Sequence, residues 1–153
     1  MAAVYRIYAA LMTALRALHK PVTLGVRVLV EDAEGRVLLV RHTYLPGWYL
    51  PGGGIKPRET LHQAAVRELA EETGILARET PRLFAAYTNF HQSKSDHVML
   101  YVLRRFERRD WSPDFEIAEC AFFAQDDLPA DISPATRRRL EEVRTGARPA
   151  LHW

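Results

Sequence analysis

Residues 52–75 read GGGIKPRETLHQAAVRELAEETGI, and this stretch decides the fold that we predict for the chain. Three consecutive glycines allow positive φ angles and a close approach of the backbone to a ligand. The spacing of apolar residues predicts a helix over residues 60–73, and Gly74 stands where a left-handed residue commonly ends a helix. A glycine loop therefore leads directly into an amphipathic helix.

The acidic side of this helix is a candidate metal site. Glu68, Glu71 and Glu72 are spaced i, i+3 and i+4, so their carboxylates project from one face. Like charges at this spacing repel, and Arg67 offsets only part of that repulsion. Mg²⁺ is a hard ion that prefers such oxygen ligands, often beside substrate phosphates. The alternative is a solvated acidic helix, with Leu61, Ala65 and Leu69 packing its other face on a sheet.

The spacing of the whole stretch favours the metal site. Five residues separate Gly53 from Glu59, seven separate Glu59 from Arg67, and the residues that follow are ELAEETGI. This pattern resembles the Nudix box at every fixed position. The resemblance covers roughly residues 23–144. It implies an α+β fold, an α/β/α sandwich around a mixed β-sheet, and a Mg²⁺-dependent pyrophosphohydrolase in which Mn²⁺ is an alternative ion.

The resemblance also implies roles for individual residues. The metal ligands would be the carbonyl oxygen of Gly52 and the carboxylates of Glu68, Glu71 and Glu72, with Glu72 as the principal ligand. Arg67 would tie the helix to the loop through charged hydrogen bonds. The structural positions of the box are held by Gly53, Glu59, Arg67 and Gly74.

The general base is expected from a loop outside the box. Glu116, just before the last predicted strand, is the first candidate for this base and for a further metal ligand. Glu119 is the second candidate, and Glu68 is the alternative within the box. Glu116 and Glu119 can also be read as exposed loop acids.

Substrate contacts are expected from the strands and loops around the box. Cationic side chains at strand ends can face phosphates, and an aromatic ring can stack on a nucleobase. The alternatives are a surface position for Arg41 and a packed position beneath the loop for Trp48. The predicted substrate-binding residues are Arg27, Arg41, His42, Trp48 and Tyr87.

Histidines are not expected to bind the metal. His42, His91 and His97 lack the sequence spacing of metal-binding motifs. The single cysteine, Cys120, excludes an intrachain disulfide and a cysteine zinc cluster.

The remaining elements follow from local patterns. Alternating valines predict a strand at residues 22–30, with residues 36–42 as its hairpin partner. Further strands are predicted at residues 83–88, 97–106 and 118–124. Ser133 and Pro134 predict the start of a last helix that ends near residue 144.

Residues 1–20 lie outside the resemblance and carry apolar residues at helical spacing. We predict an amphipathic helix that docks on the domain or on a second subunit, with a peripheral membrane helix or a cleaved leader as alternatives. The chain is thus divided into residues 1–20 and a Nudix domain at residues 21–153, and a homodimer is expected.

A cytoplasmic location is expected, because the single cysteine fits a reducing compartment. A net charge of +2 gives no strong attraction to nucleic acid, and no apolar run reaches the roughly 20 residues that cross a bilayer.

The first candidate substrate is a nucleoside diphosphate sugar such as ADP-ribose, and the second is a (d)NTP, in a sanitising role. The alternative of another class is a Nudix module that senses a nucleotide without turnover.

Overall fold

The computed structural model describes residues 22–90 and 95–153, which form seven strands and two helices. The helix predicted for residues 1–20 lies outside the described residues. In chain order the elements are β1 (Val22–Val30), β2 (Val37–His42), α1 (Leu61–Thr73), β3 (Ile75–Ala77), β4 (Arg82–Asn89), β5 (Ser95–Leu103), β6 (Phe106–Arg108), β7 (Ile117–Phe123) and α2 (Pro134–Thr145).

The strand pairing is mixed. β5 lies between β1, to which it is parallel, and β4, to which it is antiparallel. β2 pairs with β7, and the short strand β3 pairs with β6, both in antiparallel fashion. Parallel and antiparallel neighbours thus occur together, which confirms the predicted mixed sheet.

The predicted hairpin between residues 22–30 and 36–42 is wrong. Glu31 and Val37 form a single antiparallel bridge, and beyond it β2 pairs with β7. The glycine loop occupies the edge of β1 that a hairpin partner would need, since the Val26 and Val28 amides donate to the carbonyls of Gly53 and Pro51. A contact distant in sequence therefore replaces the local one.

The two helices pack on opposite faces of the sheet. Alternate residues of a strand point to opposite faces. On one face, Val26 and Val28 join a core that includes Leu69 of α1. On the other face, Leu29 joins a core that includes Leu140 of α2. The predicted α/β/α sandwich is confirmed, and neither described helix has the length and hydropathy of a bilayer crossing.

Specific caps define α1. Thr60 forms a capping box with Gln63, in which each side chain accepts from the other residue's backbone amide. Gly74 ends the helix at φ 68°. Ser133 precedes α2 as predicted but makes no side-chain cap hydrogen bond. The ends of α1 are thereby fixed, together with the direction in which its acidic face points.

Candidate metal centre and active site

The glycine loop lies directly against β1. Gly52 has φ 136°, and a Cβ atom there would come within 2.2 Å of the Val26 carbonyl oxygen. A Cβ atom on Gly53 would lie 2.8 Å from the Glu68 carboxylate. The first contact requires glycine at residue 52. The absence of a side chain at residue 53 leaves room for the Glu68 carboxylate beside the loop.

Glu72 is the buried carboxylate of the site. It is 5% exposed, and its Oε2 atom accepts a 2.7 Å hydrogen bond from the Gly52 amide. Burial raises the pKa of Glu72 to about 7; the charges of Glu68 and Glu116 act in the same direction, whereas the Gly52 amide and Arg27 oppose the shift. Within the described residues Glu72 has no salt bridge. A buried carboxylate without a positively charged partner in contact is costly, and a bound cation would relieve that cost.

The side chains of His42 and Glu116 lie close to the Glu72 carboxylate. One potential ligand atom of each of the three side chains lies within 4.8 Å of the other two. A register shift between Arg41 and His42 places His42 opposite Ile117, next to Glu116. Such bulges redirect side chains beside functional sites. The sequence-based reason for excluding His42 as a ligand therefore does not hold in the folded chain.

The environment of His42 favours its neutral form. Burial, followed by the positive charge of Arg27, lowers the pKa of His42, while Glu116 has the opposite effect. The residue is 7% exposed, and its Nδ1 atom has no hydrogen-bond partner among residues 22–90 and 95–153. A neutral imidazole retains a lone pair that can bind a metal or accept a proton.

Arg67 joins the rest of the acidic face to the loop. Its guanidinium donates to Glu59 at 2.6 Å, to Glu68 at 2.6 Å and to Glu71 at 3.0 Å. It also donates to the Gly54 carbonyl at 3.1 Å. Arg67 thus makes the helix-to-loop contacts predicted for it and partly neutralises Glu68. Glu71 is exposed, and besides Arg67 it has the Lys56 Nζ atom 3.6 Å from its Oε1 atom.

Sequence comparison with known proteins identifies the family of the chain. The sequence model of the NUDIX domain matches residues 21–143. The chain belongs to the Nudix family. It is 28% identical over 125 residues to a putative 8-oxo-dGTP diphosphatase of Bacillus subtilis (strain 168), and the match spans 82% of each protein. The predicted family and the predicted class of hydrolase are confirmed.

Solved structures of Nudix proteins show the same fold. A MutT NUDIX hydrolase from Burkholderia pseudomallei superposes with a TM-score of 0.69 and 29% identity, over 80% of this chain and 98% of that one. A UDP-X diphosphatase superposes with a TM-score of 0.63 and 27% identity, over 94% of this chain and 72% of that one.

The Arg27 side chain donates hydrogen bonds to the backbone of the glycine loop and of the segment before it. Its Nη1 atom donates to the Gly52 carbonyl at 2.6 Å and to the Leu50 carbonyl at 3.0 Å. The Gly52 carbonyl, predicted as a metal ligand, is therefore engaged by Arg27 in this structure. Arg41 lies 4.8 Å above the Trp48 ring and 3.6 Å from Asp131. Of the two arginines, only Arg27 is tied to the residues around Glu72.

Trp48 and Tyr87 are not placed to stack on a nucleobase. Trp48 is 4% exposed and packs edge-on against Phe123. Tyr87 is 1% exposed, lies 4.4 Å below the Arg139 guanidinium and donates to Glu142 at 2.8 Å. With both rings covered, the structure gives no support to the predicted base-stacking role, and the packed alternative for Trp48 describes its position.

Two exposed aromatic residues are neighbours of cluster residues, Tyr44 in space and Phe115 in sequence, and neither was predicted as a binding residue. The Tyr44 ring lies 5.2 Å from His42, and Phe115 precedes Glu116 in the chain. Thr43 holds the two segments together by donating from its side chain to the Phe115 carbonyl at 2.7 Å and from its amide to the Glu116 carbonyl at 2.9 Å. Tyr44 and Phe115 are 63% and 89% exposed. The available signal was the proximity of each to a candidate site residue in the sequence.

Proposed function

We propose that the protein is a divalent-metal-dependent pyrophosphohydrolase that cleaves the phosphoanhydride bond of a nucleoside diphosphate derivative. The observation that carries the proposal is the buried carboxylate of Glu72, which lies beside Glu116 and lacks a salt bridge in the described part of the chain. Removing a charge from water without a partner is unfavourable, so this arrangement suits a bound cation.

The donor set fits Mg²⁺ or Mn²⁺. Glu72 and Glu116 offer carboxylate oxygens, the ligand type that both ions prefer. Glu68 lies next to them and contributes negative charge. When bound, the ion would stabilise negative charge that develops on the diphosphate during cleavage. Mg²⁺ is the ion that the resemblance implies, and Mn²⁺ is the alternative.

The side chains of the site have distinct proposed roles. Glu72 holds the ion, while its hydrogen bond from the Gly52 amide fixes the carboxylate. Glu116 would help to hold the ion and, being exposed, would accept the proton of the attacking water. Glu119 is less suited to this base role, because it lies 3.9 Å from Arg41. Arg67 holds Glu68 in place beside the loop.

The proposed substrate is a nucleoside diphosphate sugar such as ADP-ribose. The resemblance of the fold to a UDP-X diphosphatase over 94% of this chain supports this class. The exposed rings of Tyr44 and Phe115 give the edge of the site an apolar surface for the nucleoside. The second candidate is a (d)NTP, favoured by the similarity to the putative 8-oxo-dGTP diphosphatase.

A substrate panel tests the proposal. Purified full-length protein would be incubated with Mg²⁺ or Mn²⁺ and with ADP-ribose, UDP-glucose, GDP-mannose, 8-oxo-dGTP and the unmodified (d)NTPs, and products would be identified by chromatography. We expect a nucleoside monophosphate and a sugar phosphate from the preferred substrate. Glu72→Gln, checked for folding by circular dichroism, should lose orders of magnitude in kcat. Tight nucleotide binding without any product would contradict the proposal and favour a sensor.

A further inference from the structure

We propose that His42 is a nitrogen ligand of the ion held by Glu72 and Glu116, and that this ligand makes the site bind Mn²⁺ more tightly than Mg²⁺. The inference rests on the proposed function because it concerns the same metal site. It adds a ligand that the carboxylate pattern of the box does not contain, since His42 comes from β2 and precedes the box.

The position of the imidazole supports this role. Its potential ligand atom lies within 4.8 Å of a carboxylate oxygen of both Glu72 and Glu116. Ligand atoms that share one ion with bonds of about 2.1 Å lie roughly 3–4 Å apart, so modest side-chain movements would bring all three residues onto one ion. The β-bulge at Arg41 and His42 turns the ring toward this cluster.

The surroundings of His42 leave it free for a ligand and hold it in place. His42 is only 7% exposed, yet its Nδ1 atom has no hydrogen-bond partner in the described structure. Buried polar atoms are nearly always satisfied, so an imidazole with an unpartnered nitrogen is not committed to another contact in the described structure and is available to an ion. The rings of Tyr44 and Tyr49 lie 5.2 and 5.7 Å from the imidazole and restrict its movement.

The chemistry of the mixed donor set implies the metal preference. Mg²⁺ takes oxygen ligands and keeps several waters, whereas imidazole nitrogen suits transition metals. Two carboxylates and one imidazole therefore favour Mn²⁺ relative to a site built from carboxylates alone. Glu72 and Glu116 still permit Mg²⁺ to bind, so the proposed hydrolysis does not depend on His42 being a ligand.

Pulsed electron paramagnetic resonance of Mn²⁺ tests the ligand directly. Full-length protein without an affinity tag would be mixed with substoichiometric Mn²⁺ in the absence of substrate, and the spectra would be examined for ¹⁴N coupling. We expect a coupling typical of a bound imidazole. Protein grown with ¹⁵N-histidine should show the ¹⁵N pattern instead, which identifies a histidine nitrogen without any substitution.

Matched variants assign the signal to His42. His42→Gln should lose the nitrogen coupling and bind Mn²⁺ at least about tenfold more weakly, with a change of less than about threefold for Mg²⁺. His62→Gln is the control, because His62 is exposed on α1 and lies outside the cluster. It should keep the coupling and both affinities.

The outcomes separate this inference from the proposed function. Bound Mn²⁺ without nitrogen coupling in the wild-type protein would overturn the role of His42, as would a failure to bind Mn²⁺ at millimolar concentration. Coupling that survives in His42→Gln would overturn it as well. The substrate panel tests hydrolysis separately, so turnover by a protein without nitrogen coupling would refute only the His42 ligand.

Discussion

Glu116 is the exposed carboxylate of a cluster whose other acid, Glu72, is buried. Its backbone amide donates to Asp114, and Thr43 holds the Glu116 carbonyl from the side of β2. Its position is thus fixed by backbone contacts while its side chain remains accessible. These are suitable properties for a group that takes a proton from water.

Glu116→Gln should lower kcat by about 10²-fold or more, the range typical for loss of a general base. The amide cannot accept the proton of the attacking water, whereas the wild-type carboxylate can. Steady-state kinetics at pH 7 on the preferred substrate would measure the loss. Glu119→Gln is the matched control and should stay near wild type. A kcat close to wild type in Glu116→Gln would transfer the role of base to Glu68.

Glu59 shows how the box stabilises its own loop. Hydrogen bonds from Arg67 and then from the Lys56 amide lower the pKa of Glu59 to about 2. Because this value lies below the 4.5 of an unperturbed glutamate, the stabilisation is complete above about pH 4.5 and is lost as the pH falls toward 2.

Glu59→Gln should therefore lower the urea midpoint at pH 7 and make stability less dependent on pH between 6 and 3. Urea unfolding followed by tryptophan fluorescence would measure this at several pH values. Glu34→Gln, which alters an exposed carboxylate in the turn after β1, serves as the control. If Glu59→Gln retains the wild-type slope between pH 6 and 3, the Arg67 pair does not stabilise the fold in the way described.

Residue by residue, the sequence predicted those parts of the site that depend on local spacing. The i, i+3 and i+4 spacing predicted that Glu68, Glu71 and Glu72 share one helical face. In the folded chain Glu68 and Glu71 accept hydrogen bonds from Arg67, whereas Glu72 is buried beside His42 and Glu116. The surroundings of His42 could not be predicted in this way, because they depend on a bulge against β7. Tyr87 was predicted to bind substrate because its ring could stack on a base, but in the folded chain this ring is covered by Arg139 of α2.

At the scale of elements, the loop and α1 were predictable because their ends carry strong local signals. Thr60 begins the helix and Gly74 ends it, as their sequence positions indicated. The three-residue strands β3 and β6 were not predicted, since such short segments show no reliable period. The pairing of β2 depends on where the glycine loop lies, a tertiary contact that strand periodicity does not contain.

Gly52→Ala tests the loop as a unit. A Cβ atom at residue 52 would meet the Val26 carbonyl at 2.2 Å in a backbone conformation with φ 136°, so the loop must move away from β1. We expect a loss of at least about 2 kcal/mol in the free energy of unfolding, together with loss of activity as the Gly52 amide leaves Glu72.

Gly54→Ala is the matched control for this loop. Apart from its chain neighbours, no atom of the part of the chain that the structure describes lies within 4 Å of a Cβ built on Gly54, so the stability of this variant should remain within about 0.5 kcal/mol of wild type. Chemical denaturation and steady-state kinetics of the two variants would be compared. Equal stability of Gly52→Ala and the wild type would show that the close contact with β1 is dispensable.

At the scale of the whole molecule, the site places an unpaired carboxylate between the sheet and α1. Core residues such as Val26 and Leu69 stabilise the fold around it, whereas Glu72 itself opposes folding when charged and without a cation. Binding of an ion to the folded state alone would reverse this effect, so metal binding and stability should be linked.

Adding Mg²⁺ or Mn²⁺ to metal-free protein should therefore raise the melting temperature, by roughly 5–10 °C at a concentration about 100 times the Kd. Glu72→Gln should show no such increase, and without metal it should melt no lower than the wild type, because an uncharged amide replaces a buried carboxylate of the same size. Glu119→Gln should keep the wild-type response. Differential scanning calorimetry of chelator-treated protein would measure these shifts. An equal shift in Glu72→Gln and the wild type would place the ion elsewhere and remove the physical basis for the metal centre.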